Sequence, residues 1–446
     1  MKKKFLTLSM ILLVLISNSI FSSGSSEESQ TAKVEKTPLR IQLIGSFKEE
    51  DTTDPISGKK IVGVHYLEEE FEKLHPEVDV EFVIMGWDSY TQKTIAMLQN
   101  NDSDVYQVPG IASIAAMGLL EPLTPYIEKD NFDLNKYIGN QVKGWEAIGP
   151  NDDDLSIYGL PFIGDTRYIS YDKKLFDDWG VEYLSQYPTL EEIETKAAMM
   201  TGINPKTGEQ NYGLRYFGGS YLADTAMNIS EGLGNTWGSG FSWDDMSVNF
   251  NTDEMVAAVD WMRENLKYCP PGNVSRQGDE KLYTPDNNIA INLRDDPKSL
   301  SKIEALNWDD RIGISHLFVN PEYNMGNMFA GSPCAIGSSS EVKDIAWEWI
   351  KFSSSETFQR YFWEEYRSLP TINSALDWDS INVIPQISEV LKTMENLWVP
   401  RYPYRASEPR SIFAIQVEKA LLGEQTPMEA MDQAQNDTDA WIQQQR

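Results

Sequence analysis

Residues 38–85 limit the possible folds more than any other part of the chain. PLRIQLIGS, from Pro38, reads as a buried strand. After the polar loop KEEDTTDPISGKK, the residues Val64, Leu67, Phe71 and Leu74 recur at helical spacing, and VDVEFVIM, Val78–Met85, is strand-like again. Strand, helix and strand in that rhythm form a βαβ unit, which implies a parallel sheet with right-handed crossovers. The class is therefore α/β. A chain of 446 residues is also too long for one compact core, so two domains are expected.

The rhythm continues through GWDSYTQK, a helix toward Leu98, the short strand DVYQVPG and the small-residue helix IASIAAMG. Parallel sheets bind ligands at the carboxyl ends of their strands, and Trp87 and Gln107 stand at two such ends. Residues 158–179, YGLPFIGDTRYISYDKKLFDDW, read as a crossing between two lobes. An apolar run broken by Pro161 is followed by Gly164 and Asp165, then by a strand-like alternation from Arg167. In a two-lobed protein such a passage floors the cleft, so Asp165 is expected to face it. The competing reading makes Asp165 the cap of a turn beside Gly164. Trp87 either meets a ligand or simply covers its strand end.

Past the crossing, Thr189 and Glu192 form a capping box, and Asn251 with Glu254 is expected to do the same. NIAIN at Asn288 and RIGI at Arg311 read as strands of a second lobe. Between them and the crossing lies EGLGNTWGSGFSWDD, an aromatic, glycine-rich candidate for a cleft wall that carries Trp237 and Trp243. Thr426, Pro427 and Glu429 open the last helix as cap, first-turn proline and capping-box glutamate.

Composition excludes several classes. A formal net charge of −30 argues against nucleic acid or an anionic membrane as partner. Residues 1–23 have the basic start, apolar run and small residues of a secretory signal, and 24–37 read as a polar linker. No cysteine follows the signal, so the expected product is exported, periplasmic or extracellular, without a lipidation cysteine. Cys269, Cys334 and three histidines cannot build the usual zinc site, and neither metal nor cofactor is expected. GxSxG, HExxH and Walker motifs are missing from the sequence.

The order of these motifs resembles the family 1 extracellular solute-binding proteins of ABC importers, the maltodextrin-binding and related sugar-binding proteins. The resemblance runs through GWDSYTQK, DVYQVPG, AAMGLLEPL, YGLPFIGDTRYISYDKKLF, PTLEEIETKA, IGISHL, AIGSSSEVKDIAWEWIKFSSSE, RSLPTINSA and ALLGEQTPMEAMDQAQ. It implies a two-lobed type II periplasmic-binding fold with three crossings, near 161–165, 329–331 and 369–370. The implied N-terminal lobe is 38–160 with 331–368, and the C-terminal lobe is 166–328 with 371–446. Cys269 and Cys334 then fall in different lobes, consistent with free thiols. The implied activity is capture of a mono- or oligosaccharide by lobe closure and delivery to the membrane permease subunits of an ABC importer, by a monomer that is not an enzyme. The competing class is a secreted carbohydrate-active enzyme using Asp165 and a second carboxylate as acid and base or nucleophile.

Sugars have polar edges and apolar faces, so their sites combine carboxylates and amides with aromatic plates. On that logic Asp165, Gln107, Asn292 and Asp295 would take hydroxyls, while Trp87, Trp237 and Trp243 would take ring faces. The chain departs from the family at Asn292, Leu293, Arg294 and Asp295, and again at Pro409 and Arg410, where maltodextrin binders present an aromatic. Arg294 and Arg410 would either bind an acidic sugar or phosphate, or neutralise neighbouring carboxylates. These departures disfavour a long glucan.

Overall fold

Burial along two neighbouring strands separates the centre of the first sheet from its edge. Thr37–Ile44 is buried continuously from Ile41, as a strand covered on both faces must be. Val78–Met85 alternates buried and exposed residues at its start and lies at the margin. The computed structural model describes residues 36–53, 58–108, 110–139, 141–151, 155–234, 249–278, 280–317, 331–384, 387–388, 391 and 408–445.

Across the first sheet the order is Val78–Met85, Thr37–Ile44, Val105–Gln107, Ser332–Ile336 and Leu160–Ile163. The first three strands are parallel, as the βαβ rhythm requires. Ser332–Ile336 is antiparallel to both of its neighbours. It enters from the second lobe at the end where the parallel strands finish, so it must run against them. The sheet is consequently mixed.

The second sheet has the order Gly202–Ile203, Gln210–Arg215, Ile289–Asp295, Tyr168–Asp172 and Ile312–Ser315. Its three last-named strands are buried at every position. One core gathers Leu39, Phe71, Trp349 and Phe362 against the first sheet, and another gathers Ile193, Met262 and Phe413 against the second. The lobes also touch: Leu300 and Ile303 join the first core, and the Arg367 Nη2 to Glu304 Oε1 ion pair is 2.6 Å long.

Leu160–Ile163 belongs to the first sheet and Tyr168–Asp172 to the second, so the chain crosses at 164–167. Gly164 donates its N–H to the Leu369 carbonyl at 2.8 Å, and a Cβ at position 164 would lie 2.5 Å from that oxygen. Only glycine allows the two segments to lie this close. A second crossing lies between Ile312–Ser315 and Ser332–Ile336; Phe329 is outside the described residues.

The third crossing is not at 369–370. Thr371 bonds to Gln359 and Pro161, Asn373 to Asn135 and Tyr137, and Ser380 to Trp363, all on the first lobe. Ala375, Trp378, Ile381, Ile387 and Leu391 continue into the same core. The apolar positions after Pro370 have partners on the first lobe, so the chain leaves it between Leu391 and the helix Glu408–Leu421.

Local signals were mostly reliable. Thr189 caps Leu190–Met199 through the N–H of Glu192, and Thr426 and Glu429 bond reciprocally at the start of Pro427–Gln445. The cap of Asp253–Asn265 is Thr252 rather than Asn251, because its hydroxyl reaches the N–H of Met255 at 3.2 Å. Leu74 ends its helix exposed instead of joining the apolar face. Cys269 and Cys334 are free and buried in separate cores, and burial pushes both thiols up. Among the described residues no helix is long and apolar enough to cross a membrane.

Candidate ligand-binding site between the lobes

The crossing itself supplies the first charged pair. Asp165 Oδ1 accepts from the N–H of Thr166 at 2.9 Å and from Arg167 Nη1 at 2.7 Å, so Asp165 caps its own turn and also holds a guanidinium. Arg167 is 8% exposed, and its Nε is buried without a hydrogen-bond partner among the described residues. Burial works against its charge, but Asp165 and Asp296 together outweigh it and raise the guanidinium above its usual range.

The helix Tyr221–Gly232 supplies a second anion. It is buried from Leu222 to Glu231, and its approach is fixed by Gly218, where a Cβ would stand 2.1 Å from the Asn273 carbonyl. Asp224, 4% exposed, receives Arg410 Nε at 2.7 Å and Nη2 at 2.8 Å, a two-point contact. Arg294 Nη2 adds a third bond at 3.1 Å. Burial alone would raise the Asp224 carboxyl, yet Arg410, Arg294 and Arg167 reverse this and lower it.

Arg294, 3% exposed, lies at the end of Ile289–Asp295 over the ring of Tyr221, 4.6 Å from its centroid. Its Nε too is buried without a hydrogen-bond partner among the described residues. Burial, followed by the like charge of Arg167, pushes it down to about 10. Arg276 stands exposed over Phe217 and Tyr221, at 5.5 and 5.0 Å, and Arg215 over Phe217 at 4.1 Å. Stacked guanidiniums keep their planes fixed and their edges available.

The first lobe faces this array with aromatic groups. Trp87 is 44% exposed, meets Tyr90 edge-on at 5.1 Å, and has Lys298 of the second lobe 5.8 Å from its ring. Ser89 between them adopts a left-handed φ of 51°, a costly conformation for a residue with a Cβ. Burial raises the Tyr90 hydroxyl, and the charges of Arg410 and Asp224 also reach it, which puts Tyr90 opposite the arginine cluster.

Three other expected ligand residues are engaged inside the lobes. Gln107 accepts from the N–H of Ile44 at 2.7 Å and donates to Ser332 Oγ at 3.1 Å, bracing the strand ends of the first sheet. Asn292 Oδ1 accepts from Arg215 Nη1 at 2.8 Å. Asp295 bonds to the Tyr283 hydroxyl, to Ser299 Oγ and to the N–H of Asp296, and burial and the neighbouring Asp296 raise its carboxyl. Trp237 and Trp243 lie outside the described residues. Sequence reasoning missed Arg167, Asp224, Tyr90, Phe217, Tyr221 and Arg276. A usable signal was present in FGGSYLAD, where paired glycines precede a helix opening on an aromatic and an acid.

Residues 64–360 match the family model described as bacterial extracellular solute-binding protein. The chain belongs to this family. Like other bacterial extracellular solute-binding proteins it has the type II periplasmic-binding fold. It superposes on maltose-bound MalE3 of T. maritima with a TM-score of 0.72 at 18% identity, covering 91% of this chain and 100% of that one. An ABC substrate-binding protein from Listeria monocytogenes in complex with cycloalternan gives 0.71 at 17% identity, with 91% and 99% covered. The sugar-binding protein MalE from Xanthomonas citri gives 0.70 at 18%, with 92% and 100% covered. A binding protein of Brucella abortus (strain 2308) is 25% identical over 146 residues, which are 32% of each chain. The chain thus spans about a third of the length of the curated relatives it matches. The family and these structural neighbours are binding proteins.

Proposed function

We propose that this protein is exported, captures a carbohydrate between its two lobes and delivers it, as a monomer, to the membrane permease subunits of an ABC importer. The observation that carries the reading is the junction itself. Aromatic plates on one lobe, Trp87 and Tyr90, oppose fixed hydrogen-bond donors and acceptors on the other, Asp165, Arg167, Asp224, Arg294 and Arg410. A sugar needs that combination of ring face and polar edge. The ligands bound by two of the neighbours, maltose and cycloalternan, are also carbohydrates.

On this reading 36–163 with 331–391 form one lobe, and 168–317 with 408–445 form the other. The ligand contacts are Asp165, Trp87, Tyr90, Tyr221, Arg294 and Arg410. Gln107, Asn292 and Asp295 hold the walls in place. The segment at Gly164 acts as a hinge strand, held against Leu369 of the first lobe, and a ligand that touches both lobes favours the closed arrangement by its extra contacts.

Asp224 suits binding better than glycoside hydrolysis. A general acid must stay protonated near neutral pH, whereas Asp224 is lowered and bonded to two arginines. The test is a thermal-shift screen over mono- and oligosaccharides, followed by mass spectrometry of the recovered ligand. Stabilisation by an unmodified, stoichiometric sugar is expected. Turnover of a glycan without retained ligand would sink the binder reading.

A further inference from the structure

Among the described residues, the buried guanidiniums of the junction keep donors that no acceptor meets, the Nε groups of Arg167 and Arg294. Asp224 already offers both oxygens to Arg410, so Arg294 shares an occupied partner. Arg276 forms no ion pair among the described residues, and Arg167 has Asp165 alone as its hydrogen-bonded carboxylate. Elsewhere in the same lobe Arg311 has Asp172 to itself, at 2.9 and 2.6 Å.

A neutral sugar would leave this unmet donor capacity to uncharged hydroxyl oxygens. An anion placed beside Tyr221 would answer it, since the faces of Arg276 and Arg294 are held on the same ring and the buried Nε groups of Arg167 and Arg294 have no acceptor among the described residues. Like-charge crowding around Arg294 would be relieved at the same time.

We propose that the ligand is an anionic sugar, whose acidic group, a carboxylate or a phosphate, lies among Arg167, Arg276 and Arg294 while its ring meets Trp87 and Tyr90. This rests on the carbohydrate reading above and adds the charge of the ligand to it. Hydrogen bonds to charged groups contribute about 1.5–3 kcal/mol, or about 10- to 100-fold in affinity.

The experiment is calorimetry on the full exported chain with D-glucuronate, D-galacturonate and their short oligomers, D-glucose 6-phosphate, and the neutral counterparts D-glucose, D-galactose and maltose. One acidic sugar should bind at least about tenfold tighter than its neutral counterpart, with affinity falling as salt rises. Which arm responds, uronate or phosphate, identifies the acidic group. Arg294→Gln should weaken that sugar about 10- to 100-fold. Arg276→Gln, at an exposed position, should weaken it in the same direction. Binding of a neutral sugar more tightly than its acidic counterpart overturns the anionic ligand and leaves the carbohydrate reading standing. Binding of no sugar of either charge overturns both, and unchanged acidic-sugar affinity in both variants overturns the assigned location.

Discussion

Asp172 and Asp224 both hold arginine inside the second lobe, with opposite outcomes for charge. Asp172 receives Nε and Nη2 of Arg311 and the amide of Asn287 at 2.8 Å, while the guanidinium lies 3.6 Å from the Trp308 centroid. One anion meets one cation, and each is closed off by a neutral neighbour. Asp224 meets two cations, with a third, Arg167, close enough to lower it further. The same pair chemistry is thus one-to-one in one place and shared among several guanidiniums in the other. Desolvated charge is tolerated where it is matched.

The largest test of this contrast is Arg311→Gln. Stranding the buried Asp172 should cost about 3–5 kcal/mol in chemical denaturation, with ligand affinity of the folded protein unchanged. A variant that kept its stability and lost affinity would break the comparison.

Asp224→Asn comes next, at about 2–3 kcal/mol near neutral pH, and its cost should depend on pH. The folded-state carboxyl is lowered, so its stabilisation is present above the unfolded value of about 3.9 and lost as pH falls through the lower folded value. Melting curves of wild type and variant should therefore converge in acid. Asp295 has the reverse sign. Its carboxyl is raised, so wild-type stability falls as pH rises from about 3.9 toward the raised value, and Asp295→Asn should flatten that part of the profile.

Arg294→Gln should cost less than about 1.5 kcal/mol of stability, because Asp224 keeps its two-point contact with Arg410. A larger loss would make Arg294 a structural partner like Arg311. The smallest effect serves as the control. Thr252→Ala removes a helix cap far from the arginine cluster in sequence and should lower stability by about 1 kcal/mol while calorimetry finds sugar binding unaltered.

Much of the fold was legible because its signals are local. The βαβ rhythm and the Thr189 and Thr426 capping boxes each depend on residues a few positions apart, where backbone geometry dictates what a side chain can reach. The cap at Thr252 shows the limit, since Asn251 and Thr252 are both good caps and only the exact turn of the chain selects one. The third crossing was misplaced for a related reason. RSLPTINSA looks like an exit, but Thr371 and Asn373 find their partners more than 200 positions back, on Pro161, Asn135 and Tyr137.

The sequence by itself determined two α/β lobes, a crossing near Gly164, and the chemical kinds of residue available at the junction. Which of those residues meet was decided by tertiary structure. Arg294 and Arg410 are 70 and 186 positions from Asp224, and Tyr90 faces them from the other lobe. Electrostatic balance depends on distance and burial in space, so among 68 acids and 38 bases no spacing rule could tell the one-to-one pair at Asp172 from the shared cluster at Asp224.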